Sequence, residues 1–253
     1  PFYTYHPNIK FEHIFASKKS LYLNYLYIVF SLYKILKKYN ANYIVDVVTT
    51  MSLFSVPASA LTQTKVITWE HFNFDANLGR STMDLGRKIA AKFSSAIVTL
   101  TSQDTQNYQA HLTVKGKLVT IPNFLPSMPQ KMASCQNKIA IAVGRLTYQK
   151  GFDTLIDIWY EFKKQASSAN WKLLIIGNGE DKEALQQQII NHQLTASIEI
   201  IPATAQIEKY YLEASLYLMS SRWEGLPMVL LESQSYGLPT ISFNCKTGPA
   251  DVI

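Results

Sequence analysis

The stretch IAIAVGRLTYQKGFDTLIDIW, residues 139–159, contains the pattern that decides the fold. Its first five residues, Ile139–Val143, are an apolar run typical of a buried strand, and the run ends at Gly144. After Gly151, apolar side chains recur at helical spacing on one face, at Phe152, Leu155, Ile156, Trp159 and Phe162. A buried strand, a short loop and an amphipathic helix predict one βα unit of a parallel sheet.

Eight more apolar runs alternate with helix-period stretches on both sides of this unit, and they predict a strand each. They are Tyr43–Val48, Lys65–Trp69, Ala96–Leu100, Leu118–Ile121, Leu173–Ile176, Ile198–Ile201, Leu216–Met219 and Pro239–Phe243. Strands that alternate with helices predict an α/β fold with parallel sheets.

The segment NFLPSMPQKMASCQN, residues 123–137, separates the fourth predicted strand from the fifth. It carries two prolines and small polar residues and has no periodicity, which is typical of a linker. We therefore predict an N-terminal α/β domain over 1–125, a linker over 126–137 and a C-terminal α/β domain over 138–253.

The composition excludes several classes of protein. With 253 residues, 47% hydrophobic and 17% charged, the chain is globular and neither disordered nor fibrous. Its two cysteines, Cys135 and Cys245, lie far apart and outside metal-ligand spacing, which excludes a disulfide scaffold and a structural zinc site.

The net charge of +6 is concentrated in the first half of the chain. Residues 1–126 hold 13 Lys and Arg against 6 Asp and Glu, whereas 127–253 hold 11 against 12. A basic half could attract anionic lipid, an acidic acceptor or nucleic acid, or serve solubility alone. No nucleic-acid recognition motif accompanies the charge, so we predict no nucleic-acid partner.

The most apolar stretch, LYLNYLYIVFSLYKILKKY at 21–39, is interrupted by Asn24, Ser31 and Lys34 and falls short of a transmembrane helix. Two interpretations stay open. The stretch could rest on anionic lipid with the help of nearby cations, or pack in the core with lysines at its C-terminal end. The cations are Lys18, Lys19, Lys34, Lys37, Lys38, Arg80, Arg87, Lys88 and Lys92.

Two cations follow the strand at 139–143. Arg145 and Lys150 are expected at the carboxyl edge of the sheet, where open α/β folds bind ligands, and a helix begins directly after them. The N-terminus of a helix attracts anions, so a phosphate group suits this place. On these two residues alone, solvated loop cations are an equal alternative.

Two glutamates mark the second informative segment, SSRWEGLPMVLLESQSYGLPTISF at 220–243. Glu224 is predicted just before a helix, and Glu232 about two turns inside it. The first carboxylate could meet sugar hydroxyls and the second the hydroxyls of a ribose. Alternatively, Glu224 is a helix N-terminal charge favoured by the dipole, and Glu232 an exposed helix residue.

In the combined order and spacing of its motifs the chain resembles the family-4 retaining glycosyltransferases of the GT-B fold. The motifs are VGRLTYQKG (143–151), IIGNGED (175–181), SSRWEGLPMVLLES (220–233), GLPTISF (237–243) and NCKTGPADVI (244–253). The resemblance is looser over 65–125, through TWEHFNF, LTSQD and VTIPNF. It implies two Rossmann-like domains that face a cleft.

The resemblance implies a role for each matching residue. Arg145 and Lys150 would hold the diphosphate of a nucleotide-sugar donor, and Glu232 its ribose. Glu224 would hold the transferred sugar, with the loop of Gly225, Leu226 and Pro227 close by. The donor would be a UDP-sugar, with no further cofactor. Retention of configuration could proceed by departure and attack on the same face of the sugar.

His71, in TWEHFNF, is placed at the end of a predicted strand. By the resemblance it would project into the cleft and steady the sugar or the oxocarbenium-like centre; taken alone, it is an ordinary hydrogen-bonded loop residue. Thr101 is expected to cap the helix that begins at Ser102, with Asp104 in the first turn, and both are interpreted as structural.

Charge at the donor phosphates is expected to come from Arg145, Lys150 and helix dipoles, because the chain holds no Asp-x-Asp motif for a divalent metal. The turn Gly177-Asn178-Gly179 lacks the third glycine of a dinucleotide fingerprint, which argues against a Rossmann oxidoreductase. A non-catalytic sugar-nucleotide-binding module or partner subunit stays an alternative to the enzyme.

The resemblance also implies a biological setting and some departures. The acceptor would be a glycan or a lipid-linked glycan in bacterial lipopolysaccharide, capsule or other cell-surface polysaccharide synthesis. The protein would be cytoplasmic, with peripheral association to the inner face of the membrane. The expected glycine-rich first loop and last strand and helices are not found, so both domains are expected to be incomplete and the chain a fragment. Pro202 and Ala203 replace a usual glycine near the nucleobase.

Overall fold

The computed structural model describes residues 6–15, 20–21, 23–76, 81–125 and 127–253. Contacts between residues divide the chain into two compact units, which we call unit 1 (Pro1–Pro122) and unit 2 (Asn123–Ile253). Among the cations discussed above, Lys18, Lys19 and Arg80 lie outside the described residues.

Unit 1 is a parallel sheet with helices. Its strands are β1 (Tyr43–Asp46), β2 (Lys65–Trp69), β3 (Ala96–Thr99) and β4 (Lys117–Thr120), and they pair in the order β1-β2-β3-β4. Its helices are α1 (Tyr25–Lys38), α2 (Ser52–Ser59), α3 (Ser81–Phe93) and α4 (Ser102–His111). Each strand pair is parallel, as the alternation of strands and helices predicts.

A buried polar network replaces part of the apolar core of unit 1. Arg87 on α3 is 2% exposed, and its Nε lies 3.2 Å from Glu70 Oε2, directly after β2. Tyr108 on α4 and Thr49 also donate hydrogen bonds to this carboxylate. Arg87 was grouped above with cations that could rest on lipid, and that expectation is wrong. The residue lies on the same buried face of α3 as Met83 and Ala90.

The start of α4 follows the capping prediction. Thr101 has extended backbone dihedrals, and its Oγ1 accepts a hydrogen bond of 3.1 Å from Asp104 N. Asp104 is buried and accepts from Phe74 N at 2.9 Å, so it also fixes the loop after β2. Both residues are structural, as predicted.

Unit 2 is a second parallel sheet, with the strand order β7-β6-β5-β8-β9. The strands are β5 (Ile139–Val143), β6 (Lys172–Ile176), β7 (Ile198–Ile201), β8 (Leu216–Met219) and β9 (Thr240–Ser242). The helices are α5 (Phe152–Lys163), α6 (Lys182–Asn191), α7 (Ile207–Glu213) and α8 (Met228–Ser235). All nine strands predicted from the sequence are therefore present, with ends that differ by no more than two residues.

The order of strands in unit 2 creates a topological switch point between β5 and β8. From β5 the chain proceeds outward to β6 and β7, and then returns to place β8 on the other side of β5. The loops after β5 and β8 therefore leave the sheet side by side at its carboxyl edge. In open α/β sheets this is the place where ligands bind.

Helix α5 packs by the face predicted for it. Phe152, Leu155, Ile156 and Trp159 are buried in one apolar cluster with residues of β5, β6 and α6, and Phe162 packs against that cluster. A second cluster contains side chains of α7, α8, β8 and the segment before β5. Both faces of the sheet are thus covered by apolar side chains.

The limits of the predicted linker, 126–137, stay a prediction. The described residues between β4 and β5 form neither helix nor strand. Part of this segment packs on unit 2, because Ala133 N donates to Tyr236 O at 2.9 Å, and Ala133 and Cys135 contact the second apolar cluster.

Candidate functional site

The loop after β5 brings Lys150 to the carboxyl edge of the sheet. Residues Tyr148–Lys150 form a single 3₁₀ turn, and α5 begins two residues after Lys150. Gly151 joins the two with φ +63°, a left-handed conformation that favours glycine. A Cβ at this position would lie 2.2 Å from Ser220 O, so the close approach of the β8 loop also requires glycine.

Glu224 follows β8 and meets Lys150. The Lys150 Nζ lies 2.6 Å from Glu224 Oε1, with the two side chains 16% and 8% exposed. The residues are 74 positions apart in the sequence, and the pairing of β5 with β8 brings them together. A buried carboxylate beside an ammonium group can accept hydroxyl hydrogen bonds, while the ammonium can bind an anion.

The loop of Gly225, Leu226 and Pro227 connects Glu224 to α8. Leu226 and Pro227 are buried, and Pro227 is the residue that precedes the first turn of the helix. Gly248 packs against this loop with φ +90°, and a Cβ there would lie 2.6 Å from Pro227 Cδ. Thr247 Oγ1 donates to Glu224 O at 2.6 Å. Two parts of the chain therefore fix the backbone around Glu224.

Arg145 is placed near Lys150 but in a different environment. Its side chain is exposed and makes no hydrogen bond or ion pair with any residue that the structure describes. Its guanidinium group is available to an anion in solution. The first turns of α5 and α8 begin at the same edge of the sheet, where their N–H groups have no partner within the helix.

Glu232 lies about one turn inside α8, not two as predicted, because the helix begins at Met228. Its Oε2 accepts a hydrogen bond of 3.0 Å from Tyr211 OH. Burial raises the pKa of the Glu232 carboxyl, and the Tyr211 hydroxyl opposes that shift. The side chain lines a cavity of about 600 Å³ together with residues 127–131 and side chains of α7 and α8.

His71 belongs to unit 1, whereas the other predicted site residues belong to unit 2. It follows β2, is half-buried, and stacks on Trp69 with ring centroids 6.0 Å apart and an angle of 15°. Burial lowers the pKa of the His71 imidazole, which favours its neutral form at physiological pH. Its role in a reaction stays a prediction.

Sequence reasoning missed Arg222 and Asp153 as neighbours of the site. The Arg222 guanidinium forms a bidentate pair with Asp153 at 2.8 and 2.6 Å, and this links the β8 loop to the first turn of α5. Arg222 stands two residues before Glu224 in the motif quoted above, and Asp153 three residues after Lys150. Proximity in the sequence was therefore the available signal for both residues.

Among the described residues, no group of three or more His, Cys, Asp or Glu side chains is arranged to hold a metal ion. In the same part of the chain no helix combines the length and apolarity needed to span a membrane.

Comparison with known proteins identifies the family. Residues 127–253 match the family "Glycosyl transferases group 1". An uncharacterized glycosyltransferase of Haemophilus influenzae is 32% identical over 244 residues, which cover 95% of this chain and 68% of the relative. The amylovoran biosynthesis glycosyltransferase AmsD of Erwinia amylovora is 42% identical over 164 residues, or 62% of this chain; the matched region spans only 45% of AmsD.

Solved structures show the same fold. The lipopolysaccharide outer core galactosyltransferase WaaB superposes with a TM-score of 0.75 at 22% identity, covering 98% of this chain and 69% of that one. S. aureus TarM, solved with UDP among its ligands, gives 0.74 at 19% identity, with 88% and 46% covered. The predicted α/β fold of the GT-B type is confirmed. The chain belongs to the group 1 glycosyltransferases.

Proposed function

We propose that this chain belongs to a glycosyltransferase that takes a hexosyl-type sugar from a UDP-sugar. Unit 2 is its donor-binding part. The acceptor is a glycan or lipid-linked glycan in the synthesis of lipopolysaccharide, capsule or another cell-surface polysaccharide. Family membership supports the reaction class. The observation that carries the proposal is the Lys150–Glu224 pair at the switch point of unit 2, where the loop of Lys150 also carries the exposed side chain of Arg145.

In this proposal each site residue has one partner on the donor. Arg145 and Lys150 bind the diphosphate, and Glu224 binds hydroxyls of the transferred sugar close to the loop of Gly225, Leu226 and Pro227. Glu232 binds the ribose hydroxyls. Its Oε2 already accepts a hydrogen bond from Tyr211 OH, so Oε1 is the oxygen that meets the ribose. Donor binding then separates Lys150 from Glu224, since each takes a new partner on the ligand.

The proposed chemistry retains the configuration at the anomeric carbon. The bond between that carbon and the phosphate oxygen breaks, and the acceptor oxygen attacks from the same face. The acceptor proton passes to the departing phosphate oxygen. Positive charge from Arg145, Lys150 and the helix N-termini stabilises the leaving diphosphate without a metal, and His71 steadies the oxocarbenium-like centre.

The surface of α1 supports a proposed association with the inner face of the cytoplasmic membrane. Ile28 and Leu36 are buried against unit 1, whereas Leu26 is 79% exposed and Phe30 54% exposed. Lys37 and Lys38 stand in the last turn. One face of α1 thus packs in the core and another offers apolar side chains to a lipid surface. Sedimentation with anionic vesicles tests this, and Leu26→Glu should weaken it.

The experiment that tests the proposed function is a calorimetric titration with UDP, GDP and UDP-sugars. We expect micromolar affinity for UDP, weakened about tenfold or more by Lys150→Ala and by Glu232→Ala. The absence of binding to any of these ligands would refute the donor site. Binding without sugar transfer, measured in the full-length enzyme with membrane glycan extract, would favour the non-catalytic binding module instead.

A further inference from the structure

We infer that Arg222 is a positioning residue that holds the Lys150 turn against the Glu224 loop, so that the two charged groups meet one donor at a fixed spacing. The inference rests on the proposed function, because it assigns the diphosphate to Lys150 and the sugar to Glu224. It adds a residue that touches neither group of the donor and still determines how tightly the diphosphate is bound.

The guanidinium of Arg222 makes all its described hydrogen bonds to the turn that contains Lys150 and to the first turn of α5. Its Nη1 donates to Tyr148 O at 2.6 Å and to Asp153 Oδ1 at 2.8 Å. Its Nη2 donates to Asp153 Oδ2 at 2.6 Å and to Thr154 Oγ1 at 3.2 Å. The guanidinium carbon also lies 4.0 Å from the centre of the Tyr148 ring. Arg222 therefore contacts the chain on both sides of Lys150, in the turn before it and in the helix after it.

Three further hydrogen bonds join the same two loops. Arg222 N donates to Gln149 O at 2.8 Å, and Gln149 Nε2 donates to Trp223 O at 3.0 Å. Ser220 Oγ donates to Lys150 O at 3.0 Å. The backbone of Lys150 is thus fixed on the β8 loop at residues 220–223, directly before Glu224. This arrangement sets the position from which the Lys150 side chain reaches the ligand.

The same contacts argue against a direct binding role for Arg222. Four of the five N–H groups of a guanidinium are engaged here, so little of its donor capacity is left for a phosphate. The Arg145 side chain, in contrast, is exposed and has no hydrogen-bond or ion-pair partner among the described residues. We therefore assign different roles to the two arginines: Arg145 binds the diphosphate, and Arg222 positions Lys150.

The ion pair of Arg222 and Asp153 is partly exposed, so its contribution to folding can be distinguished from its effect on ligand binding. The side chains of Arg222 and Asp153 are 24% and 46% exposed, and an ion pair so accessible to water contributes little to folding. The hydrogen bonds from the Arg222 guanidinium lower the pKa of the Asp153 carboxyl, which keeps this carboxylate charged at neutral pH. Substitution should consequently weaken ligand binding more than it lowers the melting temperature.

The test compares the affinities of UDP and UMP for the 253-residue chain and its variants. Arg222→Lys keeps the charge and loses the bidentate geometry, and Asp153→Asn loses the carboxylate charge and keeps the shape. We expect each variant to lower the affinity for UDP roughly tenfold and the affinity for UMP much less, because Lys150 is proposed to bind the second phosphate. The double variant should be no weaker than either single one, since both remove the same contact.

The control on the same helix is Glu161→Gln, which breaks the exposed pair with Lys164 and should leave both affinities unchanged. Unchanged UDP affinity in Arg222→Lys and Asp153→Asn, while Lys150→Ala weakens UDP, would overturn the positioning role alone. Equal losses for UDP and UMP would overturn it as well, because they indicate general damage to the unit. No UDP binding by the unsubstituted chain, or no effect of Lys150→Ala, would refute the proposed function and this inference together.

Discussion

At the scale of single residues, two opposite charges of unit 2 lie in direct contact. Lys150 and Glu224 are each the counter-ion of the other, at 2.6 Å and largely buried. A buried charge that loses its partner is costly, so neither residue can turn to a ligand unless the ligand replaces that partner. Under the proposed function, a diphosphate and sugar hydroxyls together replace both partners, whereas a diphosphate alone replaces only one.

The first prediction follows for Glu224→Gln. Lys150 is then left without its anion, so the nucleoside diphosphate becomes its best available partner. We expect UDP to bind about three- to tenfold more tightly than to the unsubstituted chain, a gain of roughly 1 kcal/mol. The affinity for UDP-glucose and UDP-galactose should not rise in the same way, because a Gln amide accepts hydrogen bonds from sugar hydroxyls less strongly than a carboxylate does. Calorimetry on the six combinations of two proteins and three ligands checks the sign of each change in affinity.

Equal weakening of UDP and of both UDP-sugars by Glu224→Gln would contradict the idea that Lys150 and Glu224 compete with the ligand for each other. Glu161→Gln, on the exposed face of α5, is the matched control for a change of one carboxylate.

The second prediction concerns Glu232, whose pKa is raised by burial. A carboxyl with a raised folded-state pKa destabilises the fold above the unfolded-state pKa, and the penalty vanishes as the pH falls below that value, near about 4.3. Glu232→Gln should therefore stabilise unit 2 at pH 7 by roughly 0.5–2 kcal/mol and by less at pH 4. Urea denaturation at both values measures the difference.

The same variant should bind UDP about tenfold more weakly at pH 7, since Gln replaces the proposed ribose ligand. Glu232 would then be kept for binding at a cost to stability. A variant that is less stable and binds UDP normally would show instead that Glu232 serves the fold through Tyr211.

At the scale of the elements, loops and helix starts decide the site. The nine strands could be predicted because buried parallel strands are continuous apolar runs. The start of α8 was harder to predict, since the backbone bends at residues 225–226 and the helix begins only at Met228. Glu232 therefore lies one turn inside the helix and not two. Lys150 and Arg145 were predicted as site residues from their place after β5, and their binding roles stay predictions. Arg87 was misjudged because an arginine in a helical sequence gives no sign of a buried carboxylate 17 residues earlier.

The third prediction tests the contact between the two loops through Gly151. Gly151→Ala adds a Cβ that would lie 2.2 Å from Ser220 O at a positive φ, so the β8 loop must move. We expect a loss of roughly 3–4 kcal/mol, from backbone strain and the displaced loop together. Gly237→Ala is the control, because φ is also positive, at +73°, but only Met132 Sδ is near, at 3.7 Å. It should cost about 1–2 kcal/mol.

Thermal unfolding of both variants, with UDP binding measured beside it, compares the two glycines. Similar losses at the two positions would show that positive φ alone matters and that the approach of Ser220 does not require glycine.

At the scale of the whole molecule, two units with different polar interiors make up the chain. Unit 1 encloses the network of Arg87, Glu70 and Tyr108, whereas the predicted donor residues lie in unit 2. Burial raises the pKa of the Glu70 carboxyl, and Arg87 opposes this shift. The buried pair therefore belongs to the stability of unit 1, and the donor site does not include it.

The fourth prediction is that Arg87→Met destabilises unit 1 by about 3–5 kcal/mol, because it leaves the Glu70 carboxylate buried without a cation. Hydrogen exchange should show loss of protection in residues 43–122 and little change in 139–253. The double variant Arg87→Met/Glu70→Leu should recover most of the stability, since both charges are then absent. Weakened UDP binding in Arg87→Met would contradict the separation of the two functions.

The strand order of unit 2 has a consequence for the way the protein folds. Strand β8 lies beside β5 although β6, α6, β7 and α7 separate the two strands in the sequence, and the Lys150–Glu224 pair joins residues 74 positions apart. Contacts between distant residues form late, because chain entropy opposes them until neighbouring structure exists. We therefore expect the Lys150–Glu224 pair to form late in folding. A nucleotide that binds only the folded unit and is present at a hundred times its Kd would stabilise that unit by about 2.7 kcal/mol, and it would shift the equilibrium toward chains in which β8 is paired with β5.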